Sequence, residues 1–369
     1  MHNWAVGIDD GFSMSRPTGI GRYSAAIMHA LATCAPTIAV QHLRHARLER
    51  VRPRPLRRAL YLAWLASGVP GARLGRTLDL IHFTNFHVAP RKPRALRYAS
   101  TVHDLVPFRL PSTKSRAYAG YLRRSIAHAL RVADVVFADS FAVRDEIAEE
   151  FRVSRDAIRV VYVSPTIAPM SATEAQAHLA HRYAELAGAP FVLFVGALER
   201  RKNLVALVRS MIRLAPAFRD VRLVLAGRPG LGYGEIAAAV AEANVPRRRV
   251  HVLTGCTDAD LRALYSSCHL FAFPSLYEGY GIPLLEAMRC GAAIVATDIP
   301  TSVELTAGAA VLVGPAADAL ADGMVTVLDS ETLRASLADR GFTRVGCFTP
   351  ERTAQQLVDG YGAVLGTGG

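Results

Sequence analysis

The stretch richest in chemistry is Phe273-Pro274-Ser275-Leu276-Tyr277-Glu278-Gly279-Tyr280-Gly281-Ile282-Pro283-Leu284-Leu285-Glu286-Ala287-Met288. An apolar strand, Leu270 to Phe273, leads into a turn holding Glu278, Gly279 and Gly281, and a helix follows that carries Glu286. Glycine lets the backbone come close to a ligand because no Cβ intervenes. Pro283 suits the first helical turn, where its missing N–H is no loss. The free N–H groups and positive dipole end of such a helix form an anion site. Glu286, one turn in, can reach a hydroxyl of an anion-bearing ligand, and Glu278 can reach a second polar part of it. Phosphate at one point with hydroxyls on both sides suggests a sugar nucleotide. Taken alone, two glutamates at this spacing also fit an ordinary strand-to-helix connection with surface carboxylates.

Further strand ends carry matching chemistry. At Phe194-Val195-Gly196-Ala197-Leu198-Glu199-Arg200-Arg201-Lys202-Asn203 a strand ends at a glycine and three cations follow. Cations are disfavoured at a helix N-terminus by the dipole, so a bound anion is a better reason for them than a surface cap. Arginine offers a bidentate fork and lysine a compact charge. The chain has only three lysines (92, 114 and 202), so a lysine here is a weak sign that its shape matters. This position reads as a sheet edge, outside the core, so Lys202→Ala is expected to stop turnover with little effect on folding. Gly227-Arg228 repeats the pairing of glycine and cation at the next strand end. Asp258 and Asp260 read as helix N-terminal carboxylates, and no metal site is expected.

These strand ends need parallel sheets to position them. Short strands are expected at 4–8, 37–43, 78–83, 98–102, 135–138 and 158–163. A second set is expected at 191–195, 221–226, 250–253, 270–273, 293–296 and 310–313. Helical spacing lies between them, at 20–32, 112–132, 141–151, 204–214, 234–243, 258–268, 282–290, 301–307 and 317–328, with a terminal helix over 348–365. This alternation predicts an α/β chain of two doubly wound, Rossmann-like domains. The polar stretch 164–189 reads as the linker between them. The boundaries are 1–170, with a returning C-terminal helix at about 351–369, and 185–350. A chain of 369 residues has room for two cores.

At this point the sequence resembles the retaining glycosyltransferase family 4. The resemblance rests on Gly196-x-Leu198-Glu199-x-Arg201-Lys202-Asn203, on Phe273 through Met288, and on Ala293-Ile294-Val295-Ala296-Thr297-Asp298 with Glu304 to Ala310 after it. It covers nearly all of the second domain. Gly19-Ile20-Gly21-Arg22-Tyr23 and Thr101-Val102-His103-Asp104-Leu105 are looser matches in the first. The resemblance implies the GT-B fold, with two Rossmann-like domains facing across a cleft, the acceptor on the N-terminal side and the donor on the C-terminal side.

It also implies roles. Glu278 would contact the donor sugar and Glu286 the ribose. Backbone N–H groups from Gly279 and Tyr280 to Gly281 and Ile282 would meet the diphosphate. Arg201 and Lys202 would neutralise it as it leaves. His103 would lie near the donor sugar, with Asp104 on the acceptor side. Gly19 and Gly21 would form a loop closing over the phosphates, while Gly196 and Arg228 line the donor site. Two departures are Arg200, where proline is common, and Ala197, where some members carry a cation; Arg200 or Arg228 would then share the phosphate contact.

The implied reaction is front-side attack with retention, without a cofactor and without a side-chain nucleophile. GDP-mannose is favoured as donor from family frequency, and the acceptor is a glycan or a polyprenyl-linked glycan. Two other readings remain open. One is a sugar-nucleotide or glycan binding protein without turnover. The other is a nicotinamide-dependent oxidoreductase, which is weakened because Ser24 stands where Gly-x-Gly-x-x-Gly needs its third glycine.

Composition bounds the partners. The formal charge is +12, and Arg44, Arg47, Arg50, Arg52, Arg54, Arg57 and Arg58 cluster ahead of the apolar run Leu60 to Leu65. That pattern suits an anionic membrane surface and equally a solvated loop before a packed helix. No nucleic-acid module is present, so nucleic acid is not an expected partner. No signal peptide or membrane-spanning run is legible. The five cysteines are scattered, as reduced thiols would be. A cytoplasmic protein, peripheral on the inner face of the membrane, is expected.

Overall fold

The computed structural model describes residues 4–9, 19–43, 63, 78–110, 116–214, 218–245 and 249–366. The arginine-rich stretch 44–58 lies outside the described residues, as do the start of the expected helix at 112–115 and, apart from Ala63, the apolar run 60–65.

Two compact units form: residues 1–164 with 348–369, and residues 165–347. In unit 1 the strands are β1 (Ala5–Asp9), β2 (Ala39–His42), β3 (Leu80–Phe83), β4 (Arg97–Val102), β5 (Val135–Ala138) and β6 (Ile158–Val160). They make one parallel sheet in the order β2-β1-β3-β4-β5-β6. Its helices are α1 (Gly19–Cys34), α2 (Val106–Arg109), α3 (Arg116–Val132) and α4 (Phe141–Phe151). Strands β3 and β5 are buried along their whole length. Parallel strands covered on both faces need such unbroken apolar runs, which is why they are legible without alternation.

Unit 2 holds α5 (Ala172–Arg182), β7 (Phe191–Val195), α6 (Leu204–Leu214), β8 (Arg222–Ala226), α7 (Tyr233–Ala243), β9 (Val250–Leu253), α8 (Asp258–Ser267), β10 (Leu270–Phe273) and α9 (Ile282–Arg289). It continues with β11 (Ile294–Thr297), α10 (Pro300–Thr306), β12 (Val311–Val313), α11 (Ala317–Leu328) and α12 (Glu331–Val345). The sheet is again parallel, in the order β12-β11-β10-β7-β8-β9. Counted within the unit this is the Rossmann order, and the chain reverses its direction of winding between β7 and β10.

The final helix α13 (Pro350–Leu365) belongs to unit 1. It packs on α1 and reaches β4 and β5. Small residues make the approach close. A Cβ on Gly360 would stand 2.4 Å from Cζ of Phe137, and one on Gly362 would stand 3.2 Å from the Trp4 ring. Thr353 Oγ1 donates to the Tyr162 carbonyl at 2.7 Å, and the Tyr162 N–H donates to Gln356 Oε1 at 3.0 Å.

The structure corrects the linker reading of 164–189. Residues 165–189 fold with unit 2, and α5 opens on a Ser171–Glu174 capping box. Only Ala175 and Leu179 of this helix are buried, so its apolar stripe is too thin to read as periodicity. Polar contacts hold it instead. His178 Nε2 lies 2.8 Å from Asp260 Oδ1, and Arg182 Nε lies 3.4 Å from the same oxygen. The helix α12 is a second element absent from the sequence reading. Leu337 and Gly341 are its only buried residues, with Gly341 set against Met288. A glycine contact carries no hydrophobic signal.

Asp260 is 1% exposed. Burial would raise its carboxyl, but bonds from Thr257, His178 and Arg182 outweigh burial and hold it at about 2, against an ordinary 3.8. The depressed value makes its stabilisation present above the ordinary carboxylate range and lost as pH falls through about 2. Wild type is therefore expected to exceed Asp260→Asn in unfolding free energy by roughly 2 kcal/mol near neutral pH. That gap should close in denaturant titrations between about pH 4 and pH 2. A gap independent of pH would remove this role for Asp260.

Candidate active site

Ligands of doubly wound sheets bind beyond the carboxyl ends of the strands, where the winding reverses. In unit 2 that point lies between β7 and β10. Gly196 to Lys202 follow the first strand and Pro274 to Gly281 follow the second, so the two motifs singled out in the sequence meet there.

The loop after β7 is held by the loop after β8. Leu198 N–H donates to the Arg228 carbonyl at 2.8 Å, Gly230 N–H to the Leu198 carbonyl at 2.9 Å, and Arg200 N–H to the Leu231 carbonyl at 2.9 Å. A Cβ on Gly227 would stand 1.7 Å from the Gly196 oxygen, so only glycine permits this pairing. A single 3-10 turn, Arg200–Lys202, then ends at Asn203 with φ 56°. Asparagine tolerates that left-handed conformation, and its side chain is anchored to the Pro315 carbonyl at 2.8 Å.

This turn aims Arg201 and Lys202 at Glu278. Arg201 Nη1 donates to Glu278 Oε2 at 2.7 Å and to the Tyr277 carbonyl at 2.8 Å, while Lys202 Nζ donates to Glu278 Oε1. Glu199 Oε1 accepts from Arg201 Nη2 at 2.8 Å. The Glu278 carbonyl accepts from Thr301 Oγ1 at 2.7 Å, which fixes the backbone beneath the carboxylate. Lys202 and Glu278 are 7% and 8% exposed. Burial alone would raise the Glu278 carboxyl, but the charges of Arg201 and Lys202 reverse this and hold it at about 2. Burial pulls the Lys202 ammonium below its ordinary value, Arg201 pushes the same way, and Glu278 offsets them only in part.

Two expectations change here. Lys202 is buried and is not a free edge residue. The cations are not bare either: Arg200 pairs with Glu235, Arg201 with Glu199 and Glu278, and Lys202 with Glu278. The pairing turns Arg200 onto α7. Arg228 is exposed, and the Gly196 backbone has φ 153°.

Helix α9 begins at Gly281, whose φ of 122° is open to glycine and strained for other residues. Its N-terminus has no side-chain cap, and Pro283 lies in its first turn. Gly279 and Ile282 flank this start, and Tyr280 is buried beside it. Glu286, 2% exposed, faces the Tyr265 hydroxyl, which donates to Oε2 at 3.1 Å. The sequence reading did not anticipate Tyr265.

In unit 1, His103 and Asp104 directly follow β4, as expected. Asp104 Oδ1 accepts the Val106 N–H at 3.2 Å at the start of α2. His103 Nδ1 lies 2.7 Å from Asp139 Oδ2, and Nε2 lies 2.7 Å from the Thr84 carbonyl oxygen. The Tyr23 ring meets the imidazole edge-on at 4.8 Å. Asp139 is absent from the sequence reading, although an acidic residue directly after strand β5, just ahead of the helix cap Ser140, stands at the ligand edge of the sheet. Gly19 and Gly21 are corrected: they form the first turn of α1 and not a loop. Among the described residues, no group of three or more His, Cys, Asp or Glu is arranged to hold a metal ion.

Two Rossmann-type units, with a carboxylate held between two cations at the winding reversal of the second, define an α/β protein of the doubly wound class. Residues 180–344 match the family model "Glycosyl transferases group 1", and residues 19–163 match "Glycosyltransferase Family 4". The chain is 28% identical over 287 residues to O-antigen chain mannosyltransferase B of Escherichia coli, covering 76% of this chain and 74% of that one. It is 30% identical over 276 residues to the serotype-specific mannosyltransferase WbdA of Escherichia coli, over 71% of this chain but 33% of WbdA, so it spans about a third of that relative. Sucrose-phosphate synthase from Thermosynechococcus elongatus shares the fold at a TM-score of 0.78 and 22% identity, over 98% of both chains. The chain belongs to glycosyltransferase family 4 and has the GT-B fold.

Removing one partner of a buried ion pair leaves the other charge uncompensated, at a cost of roughly 3–5 kcal/mol. Lys202→Ala is therefore expected to destabilise unit 2 toward the low end of that range, because Arg201 stays on Glu278. Unchanged thermal and denaturant midpoints would contradict the burial argued here.

Proposed function

We propose that this chain is a retaining hexosyltransferase, moving a mannosyl unit from a nucleoside-diphosphate sugar to a hydroxyl of a growing glycan or polyprenyl-linked glycan. The observation that carries this reading is the Arg201–Lys202–Glu278 cluster at the winding reversal of unit 2, beside the uncapped start of α9. GDP-mannose is the donor favoured, because O-antigen mannosyltransferases are among the relatives.

In this reading the diphosphate lies at the α9 N-terminus against the backbone of Gly279, Tyr280, Gly281 and Ile282, with Gly196 and Arg228 lining its other side. Glu286 takes the ribose hydroxyls and Glu278 the sugar hydroxyls. Asp104, in unit 1, contributes to the acceptor site. The acceptor hydroxyl attacks the anomeric carbon on the face the diphosphate leaves. The carbon–oxygen bond to phosphate breaks as the new glycosidic bond forms, and a phosphate oxygen takes the hydroxyl proton. Arg201 and Lys202 stabilise the charge growing on the leaving group. Their existing bonds to Glu278 hold them rigid, so little reorganisation is needed when substrate binds. No cofactor enters this chemistry.

The test is a thermal-shift panel of GDP, UDP and dTDP with their sugars, together with NAD(P). At about 100 times its dissociation constant the true nucleotide stabilises the fold by roughly 2.7 kcal/mol. GDP and GDP-mannose are expected to give the largest shift. A response to NAD(P) alone would overturn the reading. Product formed by wild type is expected to retain the α configuration of the donor, and Lys202→Ala is expected to lose transfer.

No helix among the described residues is long and apolar enough to cross a membrane. The arginine cluster at 44–58 supports attachment to an anionic surface on the cytoplasmic face. Co-sedimentation with anionic vesicles at low salt, reversed by added salt, is the expected result. Failure to sediment at low salt would remove the membrane partner.

A further inference from the structure

Both ring nitrogens of His103 are engaged inside unit 1, and the partners dictate where the hydrogens are. The Thr84 carbonyl oxygen can only accept, so Nε2 carries a hydrogen and points it at that oxygen, 2.7 Å away. Nδ1 faces Asp139 Oδ2 at the same distance. An ionised Asp139 can only accept as well, in which case Nδ1 also carries a hydrogen and the ring is an imidazolium. Imidazole is the stronger base of the two, so the shared proton rests on nitrogen.

The surroundings fit that charge. His103 is 13% and Asp139 6% exposed at the side chain. Asp104, the next residue, adds a second negative charge, and Tyr23 from α1 packs on the ring as a neutral phenol. Burial lowers the affinity of the ring for its proton, but Asp139, the Thr84 carbonyl and Asp104 together outweigh burial and raise it above the ordinary histidine value. Burial raises the Asp139 carboxyl, and the His103 charge opposes that. The neighbouring His82 behaves in the opposite way. Its nitrogens meet hydroxyls, Tyr361 at 2.8 Å and Thr101 at 2.8 Å, and burial first and the His103 charge second push it down to about 3. One of these two histidines is charged and the other neutral because one has a carboxylate and the other has alcohols.

We propose that Asp139 is a positioning residue of the transfer site, which clamps His103 in one orientation as a fixed imidazolium with no lone pair to offer a substrate. The inference rests on the reading of His103 as a residue of that site. It means that His103 cannot be the base that accepts the proton of the incoming hydroxyl. That proton must leave by another route, as it does when a phosphate oxygen takes it.

The test is nitrogen NMR of the full chain carrying labelled histidine, with the His103 signals identified by their loss in His103→Gln. Wild type is expected to show two closely spaced ring nitrogens, the imidazolium pattern, from pH 6 to pH 8. In Asp139→Asn the two signals are expected to split widely above about pH 6.5, the ordinary histidine value. A neutral, split pattern in wild type at pH 7 overturns the proposal, and this arm does not depend on turnover or on Asp139→Asn folding. With donor and acceptor present, Asp139→Asn is expected to lower kcat at least tenfold more than it alters the donor KM and to move the basic limb of the kcat profile to lower pH. Asp139→Glu is expected to restore the limb. An Asp139→Asn enzyme whose limb does not move overturns the proposal. If no sugar nucleotide supports transfer, the proposed function fails, while the NMR result still decides whether Asp139 holds the ring.

Discussion

The ion cluster of Glu278 with Arg201 and Lys202 is the constraint around which unit 2 is arranged. A carboxylate buried to 8% exposure is costly on its own, and here two cations and a rigid backbone compensate it. The two sides of the cluster come from segments more than seventy residues apart in the chain. Only the pairing of β7 with β10 makes them neighbours. The hydrogen-bonded rails between the loops after β7 and β8 exist to the same end, and so does Gly227, where any Cβ would collide with the Gly196 oxygen. With Glu199 on Arg201 the cluster has two cations and two carboxylates, which keeps the buried cations compensated and fixed in direction.

Unit 1 solves a similar problem with different means. Its buried charge, on His103, has a carboxylate beside it, while the nearby His82 and Tyr361 are kept neutral in a chain of hydroxyls through Thr101 to Tyr23. Tyr361 belongs to α13, the last helix of the chain, so the terminal segment contributes a polar group to the interior of the first unit as well as an apolar face. The small residues Gly360 and Gly362 are what allow the helix to sit close enough for that bond.

Strand positions were largely legible. Four strands, at 135–138, 191–195, 250–253 and 270–273, have the ends the sequence suggests; three of them are central parallel strands, which must be apolar on both faces, and the fourth, 250–253, is a half-buried edge strand. Helices with a broad apolar stripe, such as α6 and α11, were legible for the same reason. The helices α5 and α12 were not. One is held by a histidine and an arginine on Asp260, the other by a leucine and a glycine, and neither kind of contact leaves a hydrophobic period. The loop at Gly19 and Gly21 was implied by the family resemblance, whereas the helical spacing from residue 20 onward agrees with α1, in whose first turn Gly21 is buried.

For the site, local order sufficed wherever chemistry and spacing lie within one segment. The glutamates at 278 and 286, the glycine turn, the cation run at 200–202 and the histidine after β4 were all visible as residue types at strand ends, and family motifs gave them names. What local order cannot contain is which charges cancel. Arg200 turns away to Glu235, Lys202 is buried on Glu278, Tyr265 braces Glu286, and Asp139 clamps His103. Each of those partnerships joins residues from 21 to 76 positions apart only through sheet order and helix packing. The sequence by itself determined which residue types stand at the ligand edges of two parallel sheets. The tertiary structure decided their charge states and burial, because both depend on distances across strands that no linear spacing encodes.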